Sequence, residues 1–106
     1  DPRAKAILAS KVFQDLLIGA PDRSSCETRL ADDADDSEAR YFLAVHLMVA
    51  DQAESAIDEL TLIVKTDRQF KKDGARLLLI QIFDRLGADD PRVRSGRKKL
   101  AALLMV

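Results

Sequence analysis

Residues that start or stop helices recur at short intervals along this chain, and this punctuation limits what it can fold into. Gly19 with Pro21, the run Asp32-Asp33-Ala34-Asp35-Asp36, Asp51, Gly87 and Asp90-Pro91 divide it into short segments. Glycine suits the position just after a helix, proline the first helical position, and aspartate the N-cap. Between these marks the apolar residues recur with helical spacing, and no segment sustains a two-residue alternation. The pattern predicts about six helices, over 3–18, 24–32, 37–49, 52–66, 73–86 and 91–104, and no strand. Asp1-Pro2 reads as a cap followed by Pro at the first helical position. Ser24-Ser25-Cys26-Glu27 has capping-box spacing, Asp51 and Glu54 form another capping pair, and Asp90-Pro91 opens the last helix.

The core must come from aliphatic side chains, since Trp is absent and aromatic residues make up only 5% of the 106. That mixture favours helix over sheet. The length allows a single domain with little core to spare. The net charge of −1 gives no overall field to attract polyanions. Cys26 is the only cysteine, which excludes an internal disulfide, a CxxC pair and a cysteine-based zinc knuckle. It is compatible with a reducing, cytoplasmic setting. No apolar run reaches the roughly 20 residues that cross a bilayer, and no signal peptide is visible. A start at Asp1-Pro2 without Met suggests a piece of something longer.

The apolar faces predict how the helices pack. In the first helix Ile7, Leu8, Val12 and Leu16, with Phe13, point inward. In the third, Leu43, Ala44 and Leu47 lie opposite Tyr41, Val45 and Met48, as in a helix sandwiched between neighbours or one that packs on one side and binds on the other. In the fifth, Ala75, Leu79, Ile82, Phe83 and Leu86, flanked by Leu78 and Ile80, make a stripe wide enough for a helix buried between neighbours. The expected core includes Leu43, Leu47, Ala56, Leu60, Ile63, Leu79, Ile82, Phe83, Leu100 and Leu103.

Helices three and four also fit one tetratricopeptide unit. Arg40, Leu43-Ala44, Leu47, Ala56, Leu60 and Arg68 fall at its signature positions. Small Ala44 and Ala56 let the two helices approach closely. The large first residue and final proline of the signature are missing. A shift of one repeat length, about 34 residues, puts Leu78 and Asp90 at the small positions, so the second unit keeps the hairpin form without the signature. The expected fold is all-α, a tetratricopeptide-like array of antiparallel hairpins in one domain, 1–106. It comprises an N-terminal helix pair (1–32), a tetratricopeptide-like unit (37–70) and a degenerate second unit with the C-terminal helix (73–104).

Few side chains suggest chemistry. His46, the only histidine, has no nucleophile or carboxylate at a useful spacing and reads as structural. Cys26 lies near Asp22 and Glu27, an unfavourable setting for a reactive thiolate. The aspartates at 32, 33, 35 and 36 do not make a calcium loop, because the sixth and twelfth positions from Asp32 are Ser37 and Leu43 rather than Gly and Glu. They read as a solvated capping turn. Tyr41, Val45 and Met48 occupy the face that lines the concave groove of tetratricopeptide stacks and are candidate partner-binding residues, although packing against the first helix is the favoured reading. On the last helix Val93, Gly96, Leu100, Leu103 and Leu104 share a face. Its basic residues are dispersed and no aromatic is interleaved, which disfavours nucleic acid. The small apolar face without Trp or Phe disfavours a membrane. No catalytic residue, cofactor or metal ligand is assigned.

Four pieces, "EARYFLA", "AIDELTLIVKTDR", "DGARLLLIQIFDRLGADDP" and "GRKKLAALL", occur in an order and spacing that resemble the C-terminal region of chaperedoxins, thioredoxin-like co-chaperones of the YbbN type. The resemblance covers residues 30–104. It departs from the family at Asp33-Ala34, where an Asp-Pro is usual. It implies a bacterial parent with a thioredoxin-like domain ahead of a tetratricopeptide-like one, which binds unfolded clients and passes them to a GroEL-type chaperonin. The implied chaperonin contact is the last helix, about 92–106. Arg94, Arg97, Lys98, Ala101 and Met105, on its outer rim and apolar end, are the candidate residues. The alternative is a generic tetratricopeptide scaffold or self-association module for an unrelated partner.

Overall fold

The computed structural model describes residues 11–105. Six helices are present among them and no strand. They are α1 (helical over 11–16), α2 (Arg23–Asp32), α3 (Ser37–Val49), α4 (Ala53–Thr66), α5 (Gly74–Leu86) and α6 (Pro91–Leu104). Asp1-Pro2, Ile7 and Leu8, expected to open and anchor the first helix, lie outside the described residues.

The helix ends follow the capping chemistry with two corrections. Asp22, not Ser24, caps α2, accepting from the Ser25 amide at 2.8 Å. The aspartate lies one residue ahead of the helix, where its carboxylate reaches the orphan donors of the first turn. At α4 the N-cap is Gln52, which makes no side-chain cap bond. The Asp51/Glu54 pair is not formed, because Asp51 sits in the left-handed region (φ 61°), outside the helix. Elsewhere the expectation holds. Asp36 caps α3 by accepting from the Ala39 amide at 3.0 Å. Asp90 caps α6, with Pro91 in its first turn. Gly87 ends α5 at φ 92°, which favours glycine.

Helix α4 is the hub. Helices α3, α5 and α6 all pack against it, and α2 packs on the other side of α3. Ala44 on α3 and Ala56 on α4 are fully buried, as expected for helices brought close by small side chains. Around them Leu47, Leu60, Ile63, Leu79, Ile82, Phe83, Val93 and Leu100 form the core. Each buried aliphatic contributes about 1.5–3 kcal/mol relative to exposure.

Several placements differ from the helical-wheel expectation. Leu43 and Leu103 are half-buried at the core's edge. In α1, Phe13 is buried while Leu16 is exposed. Helix α5 buries one side only, with Leu77 50% exposed and Ile80 also facing out. Leu104 is exposed because the last turn of α6 runs past its neighbours. Helix α6 lies against α4 rather than along α5. Its Gly96 sits under the Phe83 ring and against Ile57, where an added Cβ would meet ring carbons at 2.7 and 2.8 Å.

Candidate protein-docking surface

Helix α6 is fixed on one side and open on the other. Val93, Gly96 and Leu100 are buried. Arg94, Lys98, Ala101 and Met105, spaced three and four residues apart, form a stripe on the other side, with Arg97 at its edge. All five are exposed, Met105 by 87%. Two features hold the helix at its ends. Arg92 donates to both oxygens of Asp90, from Nε at 3.0 Å and Nη2 at 2.7 Å, and its amide donates at 2.9 Å. The Arg92 bonds hold the Asp90 carboxyl well below the usual range, at about 2. At the other end Arg68, from the α4–α5 turn, donates to the Leu103 carbonyl at 2.9 Å, placing a cation at the negative end of the helix dipole.

Beside the stripe, a groove of about 350 Å³ runs between α4 and α6, lined by Asp58, Thr61, Leu62, Lys65, Lys99, Ala102 and Leu103. Its floor is apolar, with Leu62 37% exposed. Lys65, Lys99 and Asp58 stand at its rim, and the exposed cations of α6 lie nearby. Lys99 pairs loosely with Asp58 at 3.5 Å and Arg94 with Asp89 at 3.7 Å, both exposed contacts worth little. Lys98 makes no ion pair among the described residues. Arg97 has a second task, since its guanidinium lies 5.8 Å from the centroid of the buried Phe83 ring. An apolar groove edged by cations suits a partner that brings apolar side chains and acidic groups.

The other three candidate residues are placed differently. Val45 is fully buried, Tyr41 is 9% exposed and Met48 is half-buried against the core. Helix α3 is therefore sandwiched, with little of this face open. Tyr41 meets Phe70 of the α4–α5 turn, ring centroids 5.7 Å apart. Burial pushes its phenol pKa up.

The remaining polar residues serve structure. His46 Nε2 lies 2.9 Å from the Pro21 carbonyl, tying α3 to the α1–α2 connection. Cys26 is fully buried, and burial pushes its thiol pKa up, the reverse of activation. In the acidic run, Asp36 receives two 2.9 Å bonds from Arg29, which hold its carboxyl below the usual range. Asp33 accepts from the Asp35 amide at 3.0 Å. These contacts make a capped turn, and no group of His, Cys, Asp or Glu able to hold a metal ion occurs among the described residues. No described helix is long and apolar enough to cross a membrane.

Sequence reasoning missed Leu62, Lys65 and Lys99 as groove residues. Leu62 and Lys65 lie on α4 and Lys99 on α6, and no spacing in the sequence reveals that the two helices cross beside each other.

A family model described as tetratricopeptide repeat matches residues 19–105. Searches of curated proteins and of solved structures gave no match.

Proposed function

The chain belongs to the tetratricopeptide repeat family, and on that premise we propose that it is the interaction module of a thioredoxin-like co-chaperone, docking to a GroEL-type chaperonin and receiving unfolded clients. The observation that carries the docking part is the division of labour in α6, with one face in the core and the opposite stripe exposed beside an apolar, cation-edged groove. The resemblance of residues 30–104 to chaperedoxins supports the choice of chaperonin as partner. Apolar Met105 and Ala101 would supply the contact, and Arg94, Arg97 and Lys98 would orient it against acidic groups. Val45 and most of Tyr41 are not open to clients, so the reading places client contact outside that face.

Removing residues 92–106 would not test docking, because it also removes Val93 and Leu100 from the core. A variant carrying Lys98→Glu and Met105→Asp alters exposed positions only. It is expected to keep its helical circular dichroism and its melting temperature while losing chaperonin capture. Capture equal to wild type refutes docking through this stripe. If the chain instead self-associates and the same variant makes it monomeric, the alternative of a self-association module holds.

A further inference from the structure

Three aromatic rings surround one ammonium group. Lys71 Nζ lies 5.4 Å from the Tyr41 ring centroid, 5.6 Å from Phe42 and 5.7 Å from Phe70. The rings come from two places, Tyr41 and Phe42 on α3 and Phe70 in the α4–α5 turn. Tyr41 and Phe42 meet edge to face at 84°, and Tyr41 is tilted 58° from Phe70, so the three rings approach the cation from different directions. All lie within the roughly 6 Å over which a ring face attracts a cation.

The occupant is held by the rings alone, since Lys71 makes no ion pair among the described residues. Its backbone is in an unfavourable conformation. Lys71, Lys72 and Asp73 take φ values of 51°, 54° and 70° in succession, a region where L-residues occur singly and rarely. Gly74 makes room for this arrangement, because a Cβ there would fall 2.7 Å from the Lys71 Cβ. Phe42 and Phe70 are half-buried and Lys71 is exposed, so the cage opens to solvent once the lysine leaves.

We propose that Tyr41, Phe42 and Phe70 form a binding site for a methylated ammonium group, occupied in the free chain by Lys71, which a methylated lysine of a partner protein displaces. A primary ammonium is compact and strongly hydrated, and it gains no carboxylate among the described residues here. A methylated ammonium is less hydrated and is the cation that aromatic cages recognise best. The protein source follows from the family, whose members bind proteins. The site shares no residue with the α6 stripe and does not depend on the chaperonin reading.

The chain contains one Tyr and no Trp, so tyrosine emission reports on the cage directly. Tetramethylammonium is expected to change it saturably in Lys71→Gln, and about threefold to tenfold more weakly in the wild type, where the tethered lysine competes. Phe70→Leu should remove the response, and the neutral analogue tert-butanol should give none. A trimethyllysine peptide should bind more tightly than phosphocholine. In the unmodified chain, tetramethylammonium should also abolish the ring-current upfield shift of the Lys71 ε protons. No saturable response in folded Lys71→Gln overturns the site, as does an equal response to tert-butanol. An unmoved Lys71 resonance in the wild type overturns the displacement. Phosphocholine binding as tight as the peptide overturns the protein source.

Discussion

Substituting Gly96 by alanine sets two effects of opposite sign against each other. Gly96 lies inside α6, where alanine is better than glycine by about 1 kcal/mol in helix propensity. On that ground the variant should be more stable. The structure reverses the sign. The new Cβ would fall 2.7 and 2.8 Å from Phe83 Cε1 and Cζ and 3.2 Å from Ile57 Cγ2. Neither neighbour has room to yield, since Phe83 and Ile57 are 2% and 3% exposed and Arg97 covers the ring. Overpacking of this kind costs about 1–3 kcal/mol. The net expectation is destabilisation by about 1 kcal/mol, a fall in melting temperature of roughly 4–8 °C for a domain of this size. Thermal and urea unfolding followed at 222 nm measure it. Two companions isolate the cause. Phe83→Leu in the Gly96→Ala background should recover part of the loss, with a coupling of at least about 0.5 kcal/mol. Ala101→Gly, on the exposed stripe, should destabilise by about 1 kcal/mol through propensity alone. A Gly96→Ala chain as stable as wild type, or more so, refutes the close crossing of α6 over Phe83 and Ile57.

Acid should weaken the start of α6. The Asp90 carboxyl is held down to about 2 by Arg92, below its unfolded value of about 3.9. Its stabilising effect is therefore complete above about pH 4 and is lost as pH falls toward 2. Asp90→Asn should flatten that part of the wild-type melting-temperature profile, and an unchanged profile contradicts the assignment. Cys26 is fully buried with a raised thiol pKa, so Ellman's reagent at neutral pH should label it only as fast as the chain unfolds, and rapid labelling of the native chain would place the thiol at the surface.

Much of the helix pattern is legible in the residues because it rests on local chemistry. Gly87 and Asp90-Pro91 mark where α5 stops and α6 starts, and Ala44 with Ala56 marks the close pair α3 and α4. The errors fall where the outcome depends on distant partners or on one dihedral angle. Ser24 and Asp22 are both good caps, and the backbone chose Asp22. Leu104 fits the apolar stripe of α6, but no neighbour extends far enough to cover it. Periodicity gives α5 a wide apolar stripe without showing that α4 covers most of it and α6 touches it at Phe83. The same limit hid the groove and the cage. Both join residues far apart in the chain, Leu62 with Leu103 and Tyr41 with Phe70, and no spacing rule connects them.

In the proposed docking α6 presents its outer stripe to a partner while its inner face stays in the core. Amide hydrogen exchange of the whole chain, with and without a GroEL-type chaperonin, tests this most directly. Slowed exchange concentrated in residues 94–105, with α2 and α3 unchanged, is the predicted result. Protection confined to α2 and α3, with α6 exchanging as in the free chain, would contradict it.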